Sequence, residues 1–249
     1  MVYSFRSVRV GRPSPEPVEM HYNLYVRILA VSDTPTRALD ERFDAEHWRE
    51  AGIELIVSCG DLSPEYLGFL ADAFRVPLYY VRGNHDERWA ERPAGEDLDG
   101  RVVEHKGIKL FGIQGSPWYN DGALQYGERA MAWKLAMLRP RIWLAGRVDV
   151  VVAHAAPRFC PQAYRLCPRP VGVGLTCPYW RDPAGARTCQ DASDYPHRGF
   201  ESFRAFILAH KPRLFLHGHR HQTYGLGKRE LRIGETRVID TYGHVVIDV

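Results

Sequence analysis

Polar side chains that can bind a metal ion follow apolar segments at five points along the chain. They are Asp33, Asp61, Asn84 with His85, His154, and His219 with His221. We expect them to meet at one edge, because ligand sites of open α/β sheets lie outside the carboxyl ends of the strands. Carboxylate and amide oxygens together with neutral imidazoles suit manganese, iron or zinc better than calcium. The pattern therefore predicts a metal site.

This set of ligands is large enough for two divalent metal ions. Two cations about 3.5–4 Å apart need a bridging carboxylate, and water held between them loses a proton near neutral pH and becomes a nucleophile. Asp61 is placed to bridge. Taken singly, Asp33 could instead cap a helix and His154 could be a hydrogen-bonded core histidine. The presence of ligand-type residues after all five segments favours the metal site.

The segments before these residues have the apolar character of buried parallel strands. Three strand-then-helix units in the first part of the chain predict parallel strands joined by right-handed crossovers. We predict strands at 26–32, 55–59, 78–82, near 102, and at 109–113, 148–153, 214–217, 236–239 and 245–248. We predict helices at 37–50, from 64 onwards with Ser63 as its N-cap, and at 128–138 and 200–210. These elements predict an α/β protein.

Length and composition indicate one elaborated globular domain. The chain has 249 residues, of which 45% are hydrophobic and 25% charged, and no apolar run approaches the roughly 18 residues of a membrane span. Residues 1–24 contain three prolines at alternate positions and are expected to form an extended arm. The domain is expected to occupy 25–249, with an insertion rich in cysteine and proline at 156–197.

The charge balance narrows the range of partners. The chain has 33 basic and 30 acidic residues, a net charge of +3, which does not provide the basic surface typical of nucleic-acid binding. The amino-terminal region lacks the apolar segment of a secretory signal, so a cytoplasmic location is expected. Because no apolar run is long enough to span a membrane, no membrane partner is expected. A nuclease function would require a basic groove that this composition does not indicate.

The motifs resemble those of the calcineurin-like metallophosphoesterases. The resemblance lies in CGD at 59–61, GNHD at 83–86, His154 after its strand and GHRH at 218–221, and it extends from about Val26 to the carboxyl terminus. Order, spacing and strand context agree together, whereas GNHD alone would be only suggestive. The resemblance implies a four-layer α-β-β-α sandwich of two mixed sheets.

The resemblance also implies roles for individual residues. One metal ion would be held by Asp33, Asp61 and His221, and the other by Asp61, Asn84, His154 and His219. In the implied mechanism a metal-bound hydroxide attacks phosphorus in line, and His85 protonates or stabilises the departing oxygen. Asp86 would orient His85. The implied substrate is a small phosphomonoester or phosphodiester, and the metal ions would be manganese, iron or zinc.

The first motif departs from the family pattern. The family usually has Asp-x-His, whereas this chain has Asp33, Thr34 and Pro35, so one imidazole ligand is missing. Water, another side chain or partial vacancy must take its place, and the affinity for the first metal should fall. This departure leaves an alternative function open, that of a binding or scaffold protein which keeps the fold and one metal ion without turnover.

Two loop regions contain further candidates. Tyr119 and His197 lie in loops that can reach the metal edge, and both are candidate substrate-binding residues. The insertion contains Cys160, Cys167, Cys177 and Cys189, for which a structural zinc, disulfides and free thiols all remain open because the spacing is not that of a known zinc motif. His217 is expected to remain in strand register and not to act as a ligand.

Overall fold

The structure is a computed structural model that describes residues 25–89, 92–158, 197, 199–220 and 229–249. The predicted arm at 1–24 lies outside the described residues, as does most of the predicted insertion at 156–197. Both remain predictions. The described residues form two stacked β-sheets with helices on their outer faces.

The first sheet contains five strands in the order β13-β1-β2-β3-β4. They are Gly243–Asp248, Arg27–Ser32, Leu55–Ser58, Leu78–Tyr80 and Glu96–Asp97. Strands β1, β2 and β3 are parallel, with Ile28 opposite Leu55 and Ile56 opposite Leu78, as the sequence predicts. They consist almost entirely of apolar residues because both faces of the sheet are covered.

The second sheet contains six strands in the order β11-β12-β10-β9-β6-β5. They are Glu230–Ile233, Thr236–Asp240, Leu214–His217, Val150–Ala153, Ile108–Ile113 and Val102–His105. Its four central strands are parallel, and β11 and β5 join antiparallel at the two edges. A small pair, β7 (Ser116–Pro117) and β8 (Gln125–Tyr126), lies apart from both sheets.

Four α-helices of the described residues complete the layers. They are α1 (Ala45–Glu50), α2 (Pro64–Phe74), α3 (Glu128–Ala145) and α4 (Glu201–His210). One buried cluster fills the space between the sheets, a second packs α1 and α2 on the first sheet, and a third packs α3 and α4 on the second. Burial of each Leu, Ile or Phe side chain stabilises the fold by about 1.5–3 kcal/mol. The predicted α-β-β-α sandwich of two mixed sheets is confirmed.

One predicted helix is interrupted. The segment 37–50 forms a short 3-10 helix at Arg37–Leu39, and α1 begins only at Ala45. Asp44 sets this start, since its side chain accepts hydrogen bonds from the backbone N–H groups of Glu46 (3.0 Å) and His47 (3.1 Å). An N-cap of this kind ends the preceding segment and begins a new helix.

Helix α3 is longer than predicted. It continues past Pro140 to Ala145, although a proline inside a helix removes one backbone hydrogen bond. Ile142 is 1% exposed, and its burial in the core beneath the second sheet keeps the last turns helical. In the described ranges, no helix is both long and apolar enough to cross a membrane.

Candidate metal centre

The candidate site lies between the carboxyl ends of the two sheets. Asp33, Asp61 and Asn84 follow β1, β2 and β3 of the first sheet. His154 follows β9 and His219 follows β10 of the second sheet. Both sheets therefore contribute ligand-type side chains to one edge, as the strand-end pattern predicts.

Three of these residues adopt backbone conformations that are rare outside glycine. Seven non-glycine residues of the described ranges have a left-handed φ, and Asp33 (64°), Asp61 (58°) and His219 (62°) are among them. Aspartate and histidine tolerate this region better than most residues, yet each instance costs about 1 kcal/mol or more. At Asp33, Asp61 and His219 this conformation makes a sharp turn just after a strand.

Three polar atoms converge on the imidazole of His154. Its Nε2 lies 3.0 Å from Asn84 Oδ1, 3.1 Å from His219 Nδ1 and 3.3 Å from Asp61 Oδ2. The ligand atoms of Asp61, His154 and His219 all lie within 4.8 Å of one another. His154 is fully buried and the Asp61 side chain is 5% exposed, so water contacts them little.

Hydrogen bonds to other groups fix which atoms face the centre. His154 Nδ1 lies 2.8 Å from the carbonyl oxygen of Cys59, which can only accept, so Nδ1 carries a proton. Asn84 Nδ2 donates to the Tyr119 hydroxyl at 2.8 Å, which leaves its Oδ1 facing His154. When His154 is neutral, the lone pair of its Nε2 therefore faces two oxygens, Asn84 Oδ1 and Asp61 Oδ2, and this arrangement favours a cation among them.

The electrostatics of the centre agree with this conclusion. Burial alone would raise the pKa of Asp61, but the imidazole of His154 and the backbone N–H of His85 outweigh it and hold the pKa at about 2. Burial alone would lower the pKa of His154, but the carboxylates of Asp61 and Asp33 outweigh it and raise the pKa to about 9. Without a metal ion, a proton on His154 thus supplies the positive charge that the carboxylates require.

Asp61 shows most directly that the centre fits a metal ion. Its Oδ1 accepts the backbone N–H of His85 at 2.9 Å, whereas its buried Oδ2 has no hydrogen-bond partner among the described residues. The 3.3 Å approach of His154 Nε2 is an ion-pair contact without hydrogen-bond alignment. A buried carboxylate oxygen left in this state is costly unless a cation binds it.

Asp33 makes different contacts from the other candidates. Both of its carboxylate oxygens accept the backbone N–H of His219, at 3.0 and 3.2 Å, and the Ser32 hydroxyl also bonds to it. Burial raises its pKa above the ordinary value. Thr34 is half-buried and Pro35 exposed. His221, the expected partner of Asp33 at the first metal, lies outside the described residues.

The GNHD loop separates an exposed histidine from a buried aspartate. The His85 side chain is exposed at the edge of the site. Asp86 is 3% exposed, and its Oδ2 accepts the backbone N–H groups of Asp61 (2.7 Å) and Gly83 (2.8 Å). Its Oδ1 accepts from Trp89 Nε1 at 3.1 Å, and burial raises its pKa to about 6. Asp86 therefore holds the two ligand loops together, and its expected action on the His85 imidazole remains a prediction.

Two glycines allow the ligand loops to approach closely. A Cβ at Gly83 would overlap Asp61 Oδ1 and lie 2.6 Å from His154 Cε1. A Cβ at Gly218 would lie 2.6 Å from Asp33 Oδ2. The glycines of the GNHD and GHRH motifs are therefore needed for packing of the ligands themselves.

Both loop candidates lie against the centre. Tyr119 is half-buried, and its backbone N–H donates to Gln125 Oε1 at 3.0 Å. The His197 ring lies 4.7 Å from the His219 ring, measured between centroids. His217 donates from Nδ1 to the Gly218 carbonyl at 3.0 Å, and burial lowers its pKa to about 3, so it stays neutral. The four insertion cysteines lie outside the described residues.

Two contributors to the centre were not recognised from the sequence. The Cys59 carbonyl holds the tautomer of His154, and no residue pattern signals a backbone acceptor. The Cys59 thiol is buried, as predicted, and burial raises its pKa to about 12. Tyr119 was predicted only as a substrate contact, whereas the structure shows that its hydroxyl accepts from Asn84.

The four-layer sandwich with this polar edge is the metallophosphoesterase fold. The chain matches the calcineurin-like phosphoesterase superfamily domain over residues 26–245, and it belongs to that superfamily. No curated protein matches the chain by sequence.

The solved structures that share the fold include the following two, both at low sequence identity. The protein TT1561 of Thermus thermophilus is 15% identical, with a TM-score of 0.53 over 88% of this chain and 89% of that one. Phosphopantetheinyl hydrolase (PptH) from Mycobacterium tuberculosis is 13% identical, with a TM-score of 0.50 over 88% and 89%. At these identities the similarity shows the fold alone.

Proposed function

We propose that the protein is a dinuclear metal-dependent phosphoesterase that hydrolyses a small phosphomonoester or phosphodiester. The main support is the convergence of His154 Nε2, His219 Nδ1, Asn84 Oδ1 and Asp61 Oδ2 at one buried point. Nitrogen and hard oxygen donors of this kind suit manganese, iron or zinc. Membership of the phosphoesterase superfamily agrees with the proposal.

Two groups of residues would hold the metal ions. The ligands of one ion would be Asp61, Asn84, His154 and His219. Those of the other would be Asp33, Asp61 and His221, with Asp61 shared. When bound, two divalent cations neutralise phosphoryl oxygens and promote the ionisation of water, which is the chemistry that phosphate-ester hydrolysis requires.

His85 would act on the leaving group. Its side chain is exposed at the site edge, and its backbone N–H is anchored to Asp61 Oδ1. A water molecule would lose one proton to solvent as its oxygen bonds to phosphorus, and as the bond to the leaving oxygen breaks, the His85 side chain would donate a proton to that oxygen. Asp86 would keep the loop in place through the backbone of Asp61 and Gly83.

Tyr119 and His197 would contact the substrate. The Tyr119 oxygen accepts a hydrogen bond from Asn84, so its own O–H proton can be donated to a phosphoryl oxygen. His197 lies against His219 at the same edge. Their side chains would limit the space beside the phosphoryl group. The leaving group would be selected by the surrounding loops.

A second candidate function is that of a binding or scaffold protein with one metal ion and no turnover. The observation that favours it is the use of both Asp33 oxygens by the backbone of His219, beside a motif that lacks its histidine. Hydrolysis decides between the two functions, because a protein of the second kind would bind a metal ion and leave every phosphate ester intact.

The test is hydrolysis of para-nitrophenyl phosphate and bis-para-nitrophenyl phosphate by the purified protein with manganese. We expect hydrolysis of at least one ester and a loss of about 10²–10⁴-fold in kcat for His85→Ala, the range for a general acid. His47→Ala, which changes an exposed histidine on α1, is the matched control and should match the wild type. Full activity in both His85→Ala and Asp61→Asn would refute the mechanism.

A further inference from the structure

Helix α3 carries two apolar rows on opposite faces. The inner row packs into the core beneath the second sheet and consists of Met131, Leu135, Leu138 and Ile142. The second row, spaced three or four residues apart, faces away from the core, and we define it as the outer face of α3: Trp133, Ala136, Met137, Pro140, Trp143 and Leu144. Since α-helical residues three and four apart share one side, these six positions form a continuous stripe.

The outer face is strongly exposed. The exposed fractions are 68% for Trp133, 60% for Met137, 80% for Trp143 and 77% for Leu144. Nine large hydrophobic residues of the described ranges are exposed, and these four lie on one face of one helix. A surface helix normally presents polar residues outward, and a clustered apolar stripe indicates an interaction surface.

Arginines surround this apolar stripe. Arg129, Arg139 and Arg141 are exposed, and in the described part of the chain none of them has a carboxylate partner, although Arg141 Nη1 donates to the Gly100 carbonyl at 3.0 Å. The only acidic residue of α3 is Glu128, whose carboxylate accepts the backbone N–H groups at the start of α4. The outer face of α3 is therefore apolar at its centre and positively charged at its border.

We propose that the outer face of α3 docks on an anionic phospholipid bilayer, with the helix lying in the plane of the interface. Tryptophan and leucine on one side and arginine around them are the features of helices that bind membrane surfaces. Trp133 and Trp143 are ten residues apart, so their rings can enter the headgroup region about 15 Å from each other. Arginine side chains at the border reach lipid phosphates while their stems cover apolar surface.

A second copy of the chain fits this face less well. In a symmetric dimer the same face would meet itself, which would bring the arginines of the two copies together. Glu128, the single acidic group of the helix, is already bonded to α4. A flat, negatively charged surface can pair with the arginines and can also bury the convex apolar stripe. The sequence expectation of no membrane partner rested on the lack of a spanning segment, and it does not address a helix that lies on the surface.

The test is flotation of the full chain with vesicles in the presence of EDTA, so that lipid phosphate gains no attraction to a metal ion at the candidate site. One set of vesicles contains phosphatidylcholine alone and the other equal parts of phosphatidylcholine and phosphatidylglycerol. We expect binding to the mixed vesicles only. The variant Trp133→Ser/Trp143→Ser should bind them on the order of tenfold more weakly, since binding scales with buried apolar area. Arg129→Ser and Arg139→Ser should each cost about fivefold.

The control variant is Phe69→Ser/Val246→Ser, which removes exposed apolar side chains from α2 and β13 and should bind like the wild type. Circular dichroism checks that each variant keeps its fold. Equal binding by the tryptophan variant and the wild type would overturn the proposal, and so would failure of the wild type to bind mixed vesicles. A dimer that the tryptophan substitutions dissociate, found together with absent vesicle binding, would assign this face to a second copy of the chain instead.

Discussion

Two sides of the candidate site are built differently. On the imidazole side, formed by Asp61, Asn84, His154 and His219, the four ligand atoms converge and two of the side chains are held by groups outside the centre. On the Asp33 side, formed by Asp33, Thr34 and Pro35, the carboxylate bonds to a backbone N–H and the usual histidine is missing. One side is arranged for a metal ion in advance, whereas on the other side both carboxylate oxygens share one backbone N–H and one imidazole ligand is absent.

This difference leads us to expect unequal affinities for the two metal ions. A ligand set already in place binds without the cost of reorientation, and outer hydrogen bonds raise the affinity further. The imidazole side should therefore hold a tight ion, and the Asp33 side a weak one that dialysis removes. Four predictions, which use five substitutions, test this comparison.

The largest effect should follow substitution of the shared ligand. Asp61→Asn should reduce metal binding and kcat by at least about a hundredfold, because outer partners of a ligand alone contribute about 10–100-fold. Asp33→Asn should remove only the weakly bound ion and leave the tight one. Titration calorimetry with manganese measures both variants. Equal losses in the two variants would show that the sides do not differ.

Removing the outer support of Asn84 should have an intermediate effect. In Tyr119→Phe the Asn84 Nδ2 loses its acceptor at 2.8 Å, and its amide is no longer held with Oδ1 toward His154. We expect the affinity of the tight ion to fall about 10–100-fold. The control Tyr25→Phe changes an exposed tyrosine and should have no effect. An unchanged affinity in Tyr119→Phe would mean that Tyr119 does not position Asn84.

Restoring the family motif should raise the metal affinity of the Asp33 side. Pro35→His supplies the imidazole that the Asp33 side lacks, and we expect roughly a tenfold gain in affinity for the second ion. Metal stoichiometry after dialysis measures the gain, which should bring the number of retained ions toward two. The control is Pro77→His, which places a histidine at an exposed position before β3, at the end of the strand opposite to the site. If the two variants retain the same number of ions, the Asp33 side does not bind a metal ion.

The smallest effect concerns the stability of the fold next to Asp33, where Asp240 is buried. Asp240, which ends β12 and is 5% exposed, has its pKa raised by burial, and by repulsion from Asp33, from the ordinary 3.8 to about 7. The folded state therefore favours the neutral carboxyl, and stability is lost as pH rises from about 4 to about 7. Asp240→Asn should abolish this loss. The increase in the free energy of unfolding over the wild type should be on the order of 2 kcal/mol larger at pH 8 than at pH 5.

Urea unfolding in EDTA at the two pH values measures this gain. Asp72→Asn, an exposed carboxylate on α2, is the control and should show no pH-dependent gain. An equal effect of Asp240→Asn at both pH values would show that the buried carboxyl is not held neutral.

Much of the fold was predictable because its strands have a strong local pattern. The buried strand Leu214–His217 was predicted to the residue, and Ser63 caps α2 as expected. The strands β4, β7 and β8 have two residues each, too few for any periodicity to appear. The end of α3 was missed because the burial of Ile142, a tertiary contact, outweighs the local effect of Pro140.

The candidate site was predictable in its residue types but not in the groups that support the ligands. Residues that follow buried strands must meet at the sheet edge, so Asp61 and His154 could be placed together from the sequence. The left-handed backbone of His219 and the carbonyl that fixes the His154 tautomer depend on the folded loops. Neither feature leaves a signal in residue spacing.

The most direct test of the metal centre is a crystal structure of the protein with manganese, with the ion located by anomalous scattering. We predict a strong anomalous peak in contact with His154 Nε2, His219 Nδ1, Asn84 Oδ1 and Asp61 Oδ2, and a weaker peak beside Asp33. Manganese bound only elsewhere, with these four atoms still in contact with one another, would contradict the assignment of the centre.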